Sequence, residues 1–255
     1  MSLHVPDFST NRYEIKYLVP AQMVSNIKEH LSDLIQEDKH HSPLNNGYYN
    51  HSVYFDDAEF SHYREKHEGQ NVRVKVRLRA HKNTLDGQPT RLFLELKHRL
   101  NGIGKKERLI LSPEQAEAVL LGCTIPGLSP DDAEIKGEGV PSAFYFLSKT
   151  TLFRPIVSIL YHRSAYHAPL YPNVRLTIDT GVRASSLVSF DCPLSSFQPS
   201  IDPRSCVVEL KYSKSAPRIF FRRLNELGLR QVTLSKYATG VSKVFHDINM
   251  LKMRR

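Results

Sequence analysis

The clearest signal in the chain is strict alternation. In Val72–Arg79, Val72, Val74, Val76 and Leu78 take one parity and Arg73, Lys75, Arg77 and Arg79 the other. Side chains at i and i+2 share a face of a strand, so this is an extended segment with one apolar and one basic face. Similar patterning predicts strands over Arg12–Val19, Tyr48–Phe55, Val72–Ala80, Arg91–Arg99, Gly104–Leu111, Arg154–Tyr166, Asn173–Asp179 and Cys206–Tyr212. Helical spacing of apolar residues, with capping signals, predicts four helices. They are Pro20–Gln36, a segment opened by Ser112-Pro113-Glu114-Gln115 and running to Leu121, Ser215–Leu227, and Ser235–Met250. The second opens on a capping box with Pro in the first helical position, and Gly122 and Gly228 follow two of these helices as natural stops. Long strands outweigh helices in the first two-thirds of the chain, without a βαβ rhythm. That order predicts an α+β fold: an antiparallel sheet or barrel with helices outside it.

The acids on these strands recur in one pattern, Glu-x-Lys: Glu14/Lys16, Glu95/Lys97 and Glu209/Lys211. Tyr161 and Arg163 share a face, as do Arg175, Thr177 and Asp179. Taken singly, each charged face reads as the solvated side of a half-buried strand. Taken together, the like charges at adjacent same-face positions repel one another and call for an anion. A closed barrel with its polar face inward gathers these groups around an aqueous channel. Arg offers planar bidentate contacts to phosphate and Lys a point charge, while the few carboxylates suit a divalent metal. Tyr54, Phe55, Phe93, Phe144 and Phe146 read as core, and the His40-His41 pair and His98 as a loop and a strand edge rather than metal ligands.

Composition sharpens this picture. The 255 residues carry 35 Lys+Arg against 26 Asp+Glu, a net charge of +9, which favours a polyanionic partner. One domain spanning 1–255 accounts for the length. No apolar run approaches the roughly 20 residues of a membrane span, and the first residues lack the apolar stretch of a secretory signal. Three widely spaced cysteines, Cys123, Cys192 and Cys206, form no zinc motif and fit a reducing, cytoplasmic setting. There is no Walker A loop, GxGxxG or Asp-Phe-Gly, so the familiar nucleotide cradles are absent. Nor is there an RNA-recognition signature, and no nucleic-acid partner is expected.

Nine short motifs occur in one order: Arg12-Tyr-Glu-Ile-Lys-Tyr17, Ser52-Val-Tyr-Phe-Asp56, Tyr63-Arg-Glu-Lys66, Arg77-Leu-Arg79, Glu95-Leu-Lys97, Tyr161-His-Arg163, Arg175-Leu-Thr-Ile-Asp179, Val208-Glu-Leu-Lys211 and Ser235-Lys-Tyr237. In this order the chain resembles the VTC domain, the polyphosphate polymerase domain of the triphosphate tunnel metalloenzyme (CYTH-like) superfamily. The resemblance implies an eight-stranded antiparallel barrel, or tunnel, with a polar basic interior and helices packed outside. It implies metal-dependent transfer of the ATP γ-phosphate onto a polyphosphate chain, with Mn²⁺ or Mg²⁺ as cofactor. By motif position, the catalytic set would be Lys16, Arg77, Arg79, Lys97 and Glu209. Further phosphate ligands would be Lys66, Lys106 (or its neighbour Lys105), Tyr161, Arg163, Arg175, Lys211 and Lys236. Glu209 would be the main metal carboxylate and Glu14 a second.

The related CYTH branch opens with Glu-x-Glu-x-Lys, whereas this chain has Arg12-x-Glu14-x-Lys16. Losing one metal-side acid favours the polymerase branch over the hydrolases. Eukaryotic relatives also carry an SPX domain and membrane helices; neither is present, so any membrane partner is expected to be a separate protein. Two other readings of the same charge remain: a tripolyphosphatase or nucleoside triphosphatase, with water as acceptor, and a non-catalytic polyphosphate-binding module.

Overall fold

A computed structural model of the chain describes residues 12–38, 46–100, 103–122, 124–127, 139–150, 153–213 and 217–245. The predicted strands form one antiparallel sheet. It comprises β1 (Arg12–Pro20), β2 (Gln36–Glu37), β3 (Tyr48–Asp56), β4 (Val72–Lys82), β5 (Arg91–Leu100), β6 (Ile103–Leu111), β7 (Arg154–His167), β8 (Val174–Ser185), β9 (Gln198–Pro199) and β10 (Ser205–Ser213). The long strands run in the order β1-β10-β8-β7-β3-β4-β5-β6, with two-residue β2 and β9 pairing at the side with β7 and β8. β8 extends past its expected end through Gly181, whose φ of +60° lies where the β7–β8 register shifts. Glycine adopts that left-handed conformation without a Cβ penalty.

The sheet curls until Cα atoms of β1 and β6 come within 8 Å of each other. Among the described residues, however, these two strands are the ends of the ladder and share no backbone pairing. The expected closed barrel is therefore corrected to a rolled, open sheet of ten strands, eight of them long.

Alternation sorts the residues as expected. The apolar parity of β1, β8 and β10 (Tyr17, Leu176, Leu210) packs on α1 (Val24–His30) and α5 (Arg218–Glu226) through Ile27, Phe220 and Leu224. The apolar parity of β4 and β5 (Val76, Leu78, Leu94, Leu96) packs on α3 (Pro113–Gly122) and α4 (Gly139–Thr150) through Val119 and Phe144. The capping box forms: Ser112 Oγ accepts from Gln115 N at 3.2 Å and Gln115 Oε1 from Ser112 N at 3.0 Å. The first predicted helix is shorter than its pattern. After His30 the chain continues in tight turns: Leu34 N bonds Leu31 O, and the Glu29 carbonyl accepts from both Ser32 N and Ser32 Oγ. Leu34 and Ile35 still reach the core from these turns.

The helix α6 (Lys236–Val244) departs from the expectation of helices outside. Lys236 reaches Asp179 and Glu209, the Tyr237 ring stacks on Tyr54 at 5.2 Å, and Gly240 lies against Ile159 so closely that a Cβ would sit 2.2 Å from its Cδ1. Tyr54 pairs across the ladder with Arg77, and Ile159 with Ser52, so these contacts fall on the basic, concave face. α6 therefore lies inside the roll. This accounts for β3, where eight of nine residues are buried on both faces.

Candidate functional site: a basic lumen with few acids

The concave face carries two charged centres. The first is Glu95 on β5, only 1% exposed. β4 supplies Arg77, whose Nε and Nη2 donate to Glu95 Oε2 at 2.7 and 2.6 Å, and Arg79 at 3.8 Å. β6 supplies Lys106 and Arg108, each 3.1 Å from Glu95 Oε1. The ladder dictates this grouping, because Arg77, Glu95 and Arg108 occupy one cross-strand row. Burial raises the cost of the Glu95 charge, but Arg77 and Arg79 outweigh it and hold the carboxyl well below the usual range.

The second centre joins Glu209 of β10 and Asp179 of β8. Arg163 of β7 donates to both Asp179 oxygens at 2.6 Å and to Glu209 at 3.2 Å. Lys236, from the first turn of α6, lies 2.6 Å from Asp179 and 2.7 Å from Glu209. Lys211 adds a bond to Glu209 at 2.5 Å, and Lys16 stands 3.8 Å away. Burial opposes the Lys236 charge, yet Asp179 and Glu209 prevail and raise its ammonium well above the ordinary value. For Glu209, burial is likewise outweighed by Lys211 and Lys236, so the carboxylate stays ionised.

Two links join the centres. Glu14 contacts Lys16 at 3.1 Å and Lys97 at 2.8 Å, spanning the seam between β1 and the β5 side. On the other side, Arg79 donates to Ser52 Oγ at 3.0 Å and Tyr161 Oη at 3.1 Å, and the Arg163 guanidinium and Lys236 ammonium lie 5.2 and 5.0 Å from the Tyr161 ring centre.

The structure thus brings Lys16, Arg77, Arg79, Lys97, Lys106, Arg163, Lys211 and Lys236 onto one lumen with Glu14 and Glu209. Lys106 Nζ rather than Lys105 reaches Glu95; Lys105 pairs with Glu107 at 3.2 Å. Tyr161 is 2% exposed and its hydroxyl is taken by Arg79, which makes it a support for that arginine. Arg175 is on the same face, directly opposite Lys211, and is bonded to Asp38 at 2.8 Å. Lys66 stands at the α6 end, on α2 (Ser61–His67), lining a cavity of about 380 Å³ with Ser235, Thr239, Ser242 and Lys243. Tyr54 and Phe93 are buried as expected, and both lie on the concave face. Tyr54 accepts from Arg77 at 2.9 Å and Phe93 packs under Arg108.

Sequence reasoning left Lys75, Arg108 and Asp179 out of the site. All three sit at the parity that carries the chosen residues, which was the available signal. His40, His41, Cys123 and the side chains of Arg12 and Phe146 lie outside the described residues; Cys192 and Cys206 are free thiols. Among the described residues no helix is long and apolar enough to cross a membrane, and no three metal-ligating side chains cluster. Glu14 and Glu209, which both touch Lys16, are two ionised hard-oxygen donors set near each other, and Asp179 lies beside Glu209 through shared Arg163 and Lys236. Such a pair fits Mg²⁺ or Mn²⁺, ions that keep water and phosphate oxygens in much of their shell.

A family model described as the VTC domain matches residues 11–245. Among solved structures, a proposed adenylate cyclase from Bacillus halodurans shares the fold at 14% identity with a TM-score of 0.50, covering 92% of this chain and 99% of its own. A protein from Pyrococcus horikoshii aligns at 11% identity with a TM-score of 0.45, over 96% and 99% of the two chains. The Mimivirus capping enzyme triphosphatase aligns at 10% identity with a TM-score of 0.36, over 86% of each. No curated protein sequence matches the chain.

Proposed function

The chain belongs to the VTC domain family, and from that premise we propose that it transfers the γ-phosphate of ATP onto a polyphosphate chain held in the lumen of the rolled sheet. The observation that carries the reading is the charge imbalance of that lumen. Glu95 is surrounded by four cations, and Glu209 and Asp179 share four more, so both centres are oversupplied with positive charge. A run of phosphates supplies the missing negative charge at regular intervals, as a single small anion does not.

In this reading Arg77, Arg79 and Arg163 present their forked donors to phosphoryl oxygens, and Lys16, Lys97, Lys106 and Lys211 add point charges along the chain. Lys66 and Lys236 act at the α6 end and Arg175 at the other. Glu209, with Glu14, would hold Mn²⁺ or Mg²⁺, which when bound supplies charge neutralisation across the transferred phosphoryl group. The acceptor is the terminal oxygen of a phosphate chain, already ionised, so attack needs no general base. The acids outside the proposed metal pair suit that chemistry: Glu95 and Asp179 are held ionised with both oxygens engaged by cations, poorly placed to activate water. Catalysis then consists of positioning and electrostatic stabilisation by fixed cations.

The test is incubation with ATP and Mn²⁺ or Mg²⁺, with products resolved on a gel. Long phosphate chains are expected. Orthophosphate alone would replace this reading with hydrolysis, and tight binding without turnover would make the protein a binding module.

A further inference from the structure

Lys75 is a buried lumen cation that forms no ion pair with an acid among the described residues. It lies at the centre of the basic parity of β4, and the ladder places it directly opposite Lys97, which is in turn opposite Lys106. Three lysines therefore occupy one cross-strand row, where like charges repel. Lys97 is answered by Glu14 and Lys106 by Glu95. Lys75 donates instead to a neutral hydroxyl, Ser235 Oγ at 2.8 Å, and lies 5.4 Å from the Tyr237 ring centre. Its other charged surroundings are Lys16 from β1, Arg73 on its own strand, and Lys66 and Glu65 from α2. Glu65 is the one acid among them, and no ion pair joins it to Lys75. Burial first, then Lys16 and Lys97, push the Lys75 ammonium down to about 7.

We propose that Lys75 is a further phosphate-binding residue of the lumen, which leaves the Ser235 hydroxyl for a phosphoryl oxygen when a phosphate chain enters. This deepens the polymerase reading and rests on its premise that the lumen holds a phosphate chain. The row of three lysines is a receptor of matching charge for that chain, and Lys75 is the member free to turn, having no carboxylate to abandon. Arrival of the anion supplies the counter-charge that Lys75 lacks, so binding draws a proton onto it from solution at neutral and alkaline pH. Affinity gained through Lys75 is accordingly greatest near or below pH 7 and fades as pH rises.

Calorimetric titration with inorganic tripolyphosphate, without metal, tests this apart from turnover. Lys75→Met should bind about tenfold more weakly than wild type at about pH 6.5, and the gap should close towards about pH 9, where charging the lysine offsets its contact. Lys75→Arg, charged throughout, should match wild type at the lower pH and exceed it at the higher. Comparing variants cancels the titration of the ligand and of Lys106 and Lys211, whose ammonium groups are also lowered, to about 7 and about 8. Equal affinity of wild type and Lys75→Met at the lower pH overturns the proposal, and so does a loss independent of pH, which marks a fixed structural role. If Lys75→Met does not fold, a Lys75→Arg affinity that falls with pH as steeply as wild type overturns it equally. Wild-type protein that binds no tripolyphosphate refutes the lumen reading itself, and this inference with it.

Discussion

Replacing Glu95 by Gln keeps the shape of the side chain and removes the one negative charge among Arg77, Arg79, Lys106 and Arg108. Glu95 is 1% exposed, and three of those cations lie within 3.1 Å of it. Removing one partner of a buried pair costs about 3–5 kcal/mol. Lys106 and Arg108 are partly open to water (27% and 43% of their side chains), which favours the lower part of that range. For a chain of this length, about 3–4 kcal/mol lowers the melting temperature by roughly 6–15 °C. The Glu95 carboxyl is held below its unfolded value. Its contribution is therefore present above about pH 4.3 and is lost as pH falls through the lowered native value, so wild type and variant should converge in acid. Tripolyphosphate should reverse the defect, because it supplies the missing charge. The ligand-induced rise in melting temperature should then be larger in Glu95→Gln than in wild type. Calorimetry at neutral pH, with and without tripolyphosphate, reads both quantities. A melting temperature within about 2 °C of wild type, with an equal ligand shift, would refute the idea that Glu95 holds these cations against one another.

Glu209→Gln should lower phosphoryl transfer from ATP at least about tenfold and raise the Mn²⁺ needed for half-maximal rate, while metal-free tripolyphosphate binding survives; undiminished turnover would remove Glu209 from the metal site. Asp179→Asn leaves Arg163 and Lys236 with Glu209 as their shared acid and should cost about 3 kcal/mol in urea unfolding at neutral pH, and an unchanged midpoint would contradict the buried pairing. Gly240→Ala gains about 1 kcal/mol of helix propensity but presses on Ile159. It should destabilise by about 1–2 kcal/mol net, with Ile159→Val in the same chain restoring stability if the Cδ1 contact is the cause. Burial lowers His51 and His81 to about 3, so both are neutral in the native protein at pH 6. Stability should fall by about 1.4 kcal/mol per pH unit for each as pH drops from about 6.5 towards 3, and His51→Gln with an unaltered acid slope would contradict this for His51.

The strand faces were legible because alternation is a local property. Arg77 and Arg79 declare their face by their spacing alone, and so do Lys16, Lys97 and Lys211. The Ser112–Gln115 box was legible for the same reason. What escaped depends on caps set outside the usual N-cap position or on residues distant in sequence. The helix α2 is capped by Asp57 Oδ1, which accepts from Ser61 N, and by Asp56, whose two oxygens accept from His62 N and Tyr63 N; no Ser, Thr, Asp or Asn stands at its N-cap, where Phe60 has a φ of +55°. The residues that place α6 inside the roll, Asp56, Ile159, Asp179 and Glu209, come from four strands, and nothing in 236–244 distinguishes an inward helix from an outer one. Tyr237, bonded to Asp56, and Gly240, flat against Ile159, make sense only after that placement. Whether the ladder closes is equally invisible to periodicity. It depends on how far the roll carries β1 towards β6.

That open seam makes the lumen a cuff rather than a pipe. Backbone ladders fix its circumference from β1 round to β6, and each is insensitive to salt. The remaining gap is crossed by the ion pair between Glu14 and Lys97, whose side chains are 22% and 42% exposed. A pair so placed contributes at most about 1 kcal/mol and weakens as ionic strength rises. The girth available to a phosphate chain is thus clasped by charge, and the chain itself, a dense polyanion, competes with Glu14 for the same Lys97. A long polymer can in this way loosen the clasp from within as it fills the cuff.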